Sequence, residues 1–229
     1  MLLGFNFRTA TKFSGLWKVF SEYSIHNPDG WGIAIIVDNM PFVVKRGGAA
    51  HRSRLAKELH NSTMISKNGI FHLRFATKGK ICAKNAHPFS KNEWTFAHNG
   101  HVAKKLSTKT KPIGETDSEL AFCYLYDKLL ENNKDEWATV SQVIQDIGAG
   151  FNFLLAKEDI LYAYWSGYNS LYLAKIKDLG FIVCTYPILK GNWVPFEEGE
   201  LIKFQKGQII QREQFYKFDE EYSTDYLPF

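Results

Sequence analysis

The sequence is poor in cysteine and lacks long apolar runs, and each absence excludes a class of protein. Its three cysteines, Cys82, Cys123 and Cys184, are widely spaced and form no CxxC pair. A zinc ribbon or thioredoxin-like redox site is therefore unsupported, and a reducing compartment, by default the cytosol, is expected. Apolar runs such as residues 31–37 are far shorter than the ~20 residues that span a bilayer. The N-terminus also lacks the pattern of a secretory signal.

A strong charge of either sign is absent as well. The formal net charge is +4, and four lysines lie in one stretch of Ser and Thr, residues 104–111. This stretch is either a site for nucleic acid or an acidic partner, or a solvated loop. A nucleic-acid-binding domain normally carries a stronger basic stripe. We therefore interpret the stretch as a loop, and expect neither a nucleic acid nor a membrane as partner.

The 229 residues contain no repeat and no low-complexity linker, so we predict one domain over residues 1–229. Apolar periodicity predicts a mixture of helices and buried strands, with Asp38-Asn39 as a hairpin turn. After residue 151, short β-rich runs alternate with turns. This mixture fits an α+β fold built from sheet and helix layers. The predicted strands are residues 2–7, 31–37, 41–44, 70–76 and 94–97, and the predicted helices are residues 13–23, 54–60, 116–130 and 137–147.

Five segments place polar residues inside or at the ends of apolar strands. They are NPDGWG (27–32), HLRFAT (72–77), NAHPF (85–89), FAHNG (96–100) and GETDSE (114–119). In this order and spacing they resemble the glutaminase domain of class II glutamine amidotransferases, most closely its small stand-alone members. The resemblance is dense over residues 2–127 and returns weakly over residues 182–204.

The resemblance implies the four-layer αββα sandwich of the N-terminal nucleophile hydrolases. It also implies release of ammonia from the side-chain amide of glutamine, or cleavage of a related γ-glutamyl compound. No metal or organic cofactor is expected. The chain is too short to hold a synthase domain as well, so ammonia would pass to a separate partner chain, or the reaction would be simple hydrolysis.

Three residues are candidates for binding the amino-acid end of the substrate. Arg74 lies in an apolar run, where an unpaired charge is costly; on its own it could equally form a structural salt bridge with Asp29 or Asp117. By resemblance, Arg74 clamps the α-carboxylate, Thr77 adds a hydroxyl to it, and Asp117 binds the α-ammonium. Asp117 also starts a predicted helix, so it could cap that helix, and the two roles can coexist.

Asn99 and Gly100 are the candidates for the oxyanion hole. A side-chain amide beside a glycine N–H supplies two donors for a tetrahedral oxyanion, although Asn-Gly is also a strong hairpin-turn signal. By resemblance, His87 and His98 belong to the substrate pocket. We interpret His87 as pocket wall rather than a proton-transfer group, and His98 as a packed or hydrogen-bonded histidine. The histidines fit no familiar metal-ligand spacing.

The nucleophile expected from the resemblance is missing. Family members attack with an N-terminal cysteine whose own α-amine acts as base. Family sequences typically begin Met-Cys-x-Leu-Leu-Gly, and this one begins Met1-Leu2-Leu3-Gly4, so Met1 occupies the position just after the cysteine. Cys123 falls on an apolar helix face, and Cys82, in a loop, has no free amine beside it.

Three interpretations of the missing cysteine stay open, one of which is that the sequence was altered deliberately. A start site placed two codons late would hide the cysteine of an active amidase. Genuine loss would leave a glutamine-binding or γ-glutamyl-binding pseudoenzyme that acts as a sensor or interaction module. Lys78 is a second departure, since some family members have histidine there, and it bears on the identity of the substrate.

Overall fold

The computed structural model describes residues 1–132 and 134–215. Within them, thirteen strands and four α-helices form. The strands are β1 (Leu2–Lys12), β2 (Gly30–Val37), β3 (Met40–Gly47), β4 (Ile65–Arg74), β5 (Phe89–Lys91), β6 (Trp94–Gly100), β7 (Phe151–Lys157), β8 (Ile160–Trp165), β9 (Tyr172–Ile176), β10 (Gly180–Cys184), β11 (Trp193–Pro195), β12 (Glu200–Gln205) and β13 (Gln208–Gln214). The helices are α1 (Ser14–Glu22), α2 (Arg54–Glu58), α3 (Asp117–Glu131) and α4 (Glu136–Ile147).

The strands form two antiparallel sheets. The first has seven strands in the order β11-β9-β10-β1-β4-β2-β3, and the second has six in the order β13-β12-β8-β7-β6-β5. The N-terminal strand β1 lies between β10 and β4 in the first sheet. The start of β1 therefore lies beside the ends of β4 and β10.

Three apolar clusters separate four layers. One joins α1 and α2 to the first sheet, one fills the space between the sheets, and one joins the second sheet to α3 and α4. Side chains alternate along β1: Met1, Leu3 and Phe5 pack toward the helices, whereas Leu2 packs between the sheets. This arrangement confirms the predicted α+β, four-layer sandwich.

The four predicted helices are confirmed. Thr116 caps α3 through its side-chain oxygen, which accepts from the Glu119 N–H at 3.2 Å. The hairpin is also confirmed, since Asp38 and Asn39 have φ of 48° and 64°, as a type I′ turn requires. Strand β1 runs past the predicted residue 7 to Lys12, because backbone pairing with β4 continues where side chains become exposed.

The lysine-rich stretch, residues 104–111, contains no helix or strand, which confirms the loop interpretation. Lys109 forms an ion pair with Glu131 at 2.9 Å. No helix in the described part of the chain is long and apolar enough to cross a membrane.

Candidate active site

One cavity of about 260 Å³ opens between the sheets, where β1 begins and β4 and β6 end. Antiparallel pairing brings these chain ends together, and α3 begins beside them. The cavity wall includes all seven residues proposed for the site: Arg74, Thr77, His87, His98, Asn99, Gly100 and Asp117. Residues far apart in sequence thus share one cavity because of the sheet topology.

Arg74 is buried at the end of β4 and is held by backbone rather than by a carboxylate. Its guanidinium donates to the carbonyl oxygens of Lys78 at 2.5 Å and of Gly79 and Lys80 at 3.4 Å. Within the described residues it forms no ion pair, and the Asp29 carboxylate accepts from the Ala76 N–H at 2.8 Å instead. The salt-bridge alternative is therefore wrong, since no carboxylate of the described residues pairs with this cation.

Asp117 faces the same cavity from the first turn of α3. Its carboxylate accepts from the Val102 N–H at 2.9 Å and lies 3.2 Å from Nδ1 of His101. Thr116, not Asp117, supplies the helix cap. Thr77 lies on the exposed loop after β4 and lines the cavity. This part of the cavity wall therefore combines a cation, a carboxylate and a hydroxyl.

Asn99 and Gly100 are the last residues of β6 and pair with Asn152 and Phe151 of β7. They lie within a strand, so the hairpin-turn alternative is wrong. Gly100 has φ of 130°, and a Cβ there would lie 1.9 Å from the Gly150 carbonyl oxygen. Glycine is required because an L side chain would meet both strain and backbone.

Three contacts hold the Asn99 side chain. Its Oδ1 lies 3.1 Å from Nε2 of His72 and 3.4 Å from the Met1 α-amine. Its Nδ2 donates to the Thr185 hydroxyl at 3.3 Å. The second hydrogen of this amide is left for a ligand, as an oxyanion hole requires.

The cavity histidines are buried and neutral. Burial lowers the pKa of His72 and His87 well below the usual value, and lowers the pKa of His98 to about 4. The rings of His72 and His87 lie 4.2 Å apart. His98 contacts the Ser118 hydroxyl at 2.9 Å and the Gly150 carbonyl at 3.3 Å, as a hydrogen-bonded histidine would.

Several cavity residues were missed by sequence reasoning. The Met1 α-amine lies 2.6 Å from the Leu73 carbonyl oxygen, and burial lowers the pKa of this amine to about 5. His72 lay in a recognised motif but was weighed only as a metal ligand. Thr185, Tyr168 and Tyr186 lie in the second half, where the resemblance is weak. A polar Thr185 directly after a buried strand was the available signal.

None of the three cysteines lines the cavity. Cys123 is buried in α3, as predicted, and burial raises its thiol pKa to about 11. Cys184 packs on the helix side of the first sheet with the Met1 side chain, and burial raises its pKa to about 12. Cys82 lies in the loop after β4 and is partly exposed.

Comparison with known proteins decides the family. A family model described as class II glutamine amidotransferases matches residues 1–177. The chain belongs to this family. It is 30% identical over 252 residues to a Haemophilus influenzae protein named "Putative glutamine amidotransferase", and the match covers 91% of this chain and 85% of that one. This match covers a larger share of the chain than the family model does.

Two larger proteins match over part of their length. A glutamine–fructose-6-phosphate aminotransferase from Pseudomonas syringae is 29% identical over 61% of this chain and 24% of its own length. The structure of the glutamine phosphoribosylpyrophosphate amidotransferase from Bacillus subtilis superposes with a TM-score of 0.69 and 16% identity, over 94% of this chain and 49% of that one. The second comparison supports the fold, and both place the matched region within a longer chain.

Proposed function

We propose that this chain cleaves the γ-amide of glutamine or of a related γ-glutamyl compound, with a cysteine directly ahead of Met1 as nucleophile. The observation that carries the proposal is the position of Met1. Its α-amine reaches into the cavity, 3.4 Å from Oδ1 of Asn99. A residue attached to this amine enters the cavity beside the candidate oxyanion hole.

Strand alternation supports the direction of that side chain. Met1 and Leu3 point toward the helix layer, whereas Leu2 points between the sheets. Because side chains alternate along a strand, the residue ahead of Met1 shares the face of Leu2. That face also carries Arg74 and His72 from β4. A cysteine there directs its sulfur into the cavity.

The reaction then follows from the groups in the cavity. The thiolate adds to the amide carbon, and the oxyanion is stabilised by the Asn99 amide and the Gly100 N–H. The carbon–nitrogen bond breaks, the amine leaves with the proton taken from the thiol by the cysteine α-amine, and a thioester remains. Water hydrolyses the thioester to glutamate and restores the thiol.

The amino-acid end supplies binding and orientation. The Arg74 guanidinium, which has no carboxylate partner among the described residues, suits a substrate carboxylate, because its planar donors match two oxygens. Asp117 lies opposite as partner for the α-ammonium, and Thr77 adds a hydroxyl. His87 and His98 complete the wall as neutral rings.

The proposal includes the setting of the reaction. Residues 1–229 act as one glutaminase domain, and ammonia passes to a synthase on a separate chain or is released. In the longer P. syringae and B. subtilis proteins the matched region is joined to further chain, which supports an acceptor for the ammonia as part of the proposal. The three free cysteines support a cytosolic location.

Adding the nucleophile tests the catalytic part. The chain is expressed with Met-Cys placed ahead of Met1, and a Met-Ser version is the matched control, because initiator Met is removed before either small residue. We expect glutamate and ammonia from glutamine with the cysteine version alone. Glutamine binding without turnover by the cysteine version would overturn the proposed reaction. The intact mass of the protein expressed from its own gene, with upstream DNA, tests whether the cysteine occurs naturally.

Isothermal calorimetry with glutamine tests the pocket. Arg74→Lys keeps the approximate size but removes the fork of donors, and Asp117→Asn keeps the size but removes the charge. We expect each variant to bind glutamine more than about tenfold more weakly. Arg54→Gln, on exposed α2, is the control and binds as the unmodified chain does. Unchanged affinity in both pocket variants would overturn the assignment of the amino-acid end.

A further inference from the structure

The cavity has a second end that the proposed reaction does not use. Tyr168 and Tyr186 line it, and these two residues are 42% and 49% exposed. The other cavity groups described above are mostly polar or charged. Two accessible aromatic rings in such a cavity offer a surface for a flat apolar group, because aromatic rings stack on one another.

The sheet order places these rings opposite the amino-acid end. In the first sheet β4, β1 and β10 are consecutive neighbours, so Arg74, Met1 and Thr185 lie in a row at the strand ends. Strands are ~4.8 Å apart, so Thr185 and the adjoining Tyr186 lie about two strand spacings from Arg74. In the second sheet β6, β7 and β8 are likewise consecutive neighbours, and Tyr168 follows β8.

The reacting centre lies between the two ends. Asn99, which contacts the Met1 amine, is also bonded to Thr185. A γ-glutamyl group held at Arg74 and Asp117, with its amide carbon at Asn99, directs the nitrogen of the amide toward the tyrosines. What is attached to that nitrogen therefore meets the two rings.

The backbone that carries the rings is fixed. The Tyr168 carbonyl accepts hydrogen bonds from Nδ2 of Asn152 and from Nε1 of Trp165, the latter at 3.0 Å. The Ser170 hydroxyl donates to the Thr185 carbonyl at 2.7 Å and so ties the two tyrosine-bearing segments together. Neither tyrosine hydroxyl has a hydrogen-bond partner within the described residues. The segments that carry the tyrosines are thus tied in place, and the hydroxyls are not engaged elsewhere, which favours binding.

We propose that Tyr168 and Tyr186 form a subsite for an aromatic substituent on the amide nitrogen, so that the preferred substrates are γ-glutamyl arylamides rather than glutamine. This inference rests on the proposed function of the same cavity. Free ammonia as leaving group needs no such surface. The two tyrosines are specificity-determining residues and take no part in bond breaking.

Calorimetry on the chain as it stands tests the subsite. The probes are L-glutamine and L-γ-glutamyl-p-nitroanilide, which share the γ-glutamyl group and differ on the amide nitrogen. We expect the anilide to bind about tenfold more tightly, as stacking on two rings allows. The double variant Tyr168→Ala/Tyr186→Ala binds both probes equally, with its affinity for glutamine unchanged. A Tyr168→Leu/Tyr186→Leu variant repeats the test with larger side chains.

Phe42→Ala is the matched control, since Phe42 is an exposed ring on β3, 44% accessible and outside the cavity wall. We expect the Phe42→Ala variant to bind the anilide more tightly than glutamine, as the unmodified chain does. If glutamine binds and the anilide binds no more tightly, the subsite is wrong while the proposed function stands. If the preference survives in both double variants, the tyrosines are not the subsite. If neither probe binds, both proposals fall.

Discussion

The two ends of the cavity are built differently. At the amino-acid end, Arg74 and Asp117 come from the first half of the chain, at the end of β4 and the start of α3. Arg74 is 4% exposed and bonded to backbone. At the other end, Tyr168 and Tyr186 lie on loops of the second half, with exposed rings. The groups proposed to bind the γ-glutamyl part are thus fixed at element ends, whereas the groups proposed to distinguish among amides lie on loops.

The junction between the ends is Asn99. Its side chain contacts His72 and the Met1 amine on one side and the hydroxyl of Thr185 on the other. The comparison therefore makes a graded prediction: substitutions at the junction and the buried end affect folding and binding together, and substitutions at the tyrosine end affect ligand preference alone.

The largest effect is expected for Gly100→Ala. With φ of 130°, the new Cβ would lie 1.9 Å from the Gly150 carbonyl oxygen, so β6 and β7 must separate locally. We expect the free energy of unfolding to fall by about 3 kcal/mol or more, and glutamine binding to be lost. Urea unfolding and calorimetry measure the two effects.

Gly148→Ala is the matched control for this substitution. Gly148 also has positive φ, 87°, but a Cβ there meets nothing within 4 Å. Gly148→Ala therefore introduces backbone strain without a steric clash. We expect it to lower the free energy of unfolding by about 1 kcal/mol. Equal losses in the two variants would mean that contact with Gly150 is not what requires glycine at position 100.

The buried histidines predict a pH dependence of stability. His87 is buried, neither of its ring nitrogens has a hydrogen-bond partner within the described residues, and burial lowers its pKa well below 6.5. Below about pH 6.5 His87 is protonated in the unfolded chain but stays neutral in the folded chain. The free energy of unfolding is therefore highest above that pH and falls as the pH is lowered toward the folded-state pKa. His87→Leu is expected to reduce the slope by about 1.4 kcal/mol per pH unit.

Urea unfolding at a series of pH values between about 6.5 and 5 measures that slope. Phe89→Leu is the control, because Phe89 contacts the His87 ring at 4.6 Å but does not titrate. We expect Phe89→Leu to lower the free energy of unfolding equally at every pH, so that the slope stays that of the unmodified chain. A slope in His87→Leu equal to that of the unmodified chain would mean that His87 is protonated in the folded state.

The fold was predictable where apolar periodicity was strong. The hairpin turn at Asp38-Asn39 and the Thr116 cap of α3 follow from local chemistry, and the structure has both. The resemblance brought Arg74 and Asn99 together in one site, because their motifs lie in the first half. The tyrosine end could not be predicted in this way. Tyr168 and Tyr186 reach the cavity only because β8 and β10 end beside β7 and β1, and this pairing joins residues far apart in sequence.

Thr185→Val tests the junction, with a smaller effect. The hydroxyl accepts from the Leu2 N–H at 2.8 Å and from Nδ2 of Asn99. Valine keeps the shape but leaves the buried Leu2 N–H without a partner, which costs about 1 kcal/mol or somewhat more. Glutamine binding weakens several-fold because Asn99 loses its orientation. Thr185→Ser keeps the hydroxyl and retains both properties; a loss in the serine variant as large as in the valine variant would show that packing, not the hydrogen bond, matters.

The smallest effect on stability is expected for Tyr186→Ala, at the tyrosine end of the cavity. Tyr186 is half exposed, and no described residue bonds its hydroxyl. Its removal deletes little buried area, so the free energy of unfolding changes by less than about 0.5 kcal/mol. Thermal and urea unfolding of Tyr186→Ala and Thr185→Val, measured side by side, compare the two ends directly, since the two residues are neighbours in sequence. If Tyr186→Ala destabilised the chain as much as Thr185→Val, the ring would be a structural part of the sandwich. The exposed rings would then need no ligand to explain them, and the division of the cavity into a structural end and a selective end would fail.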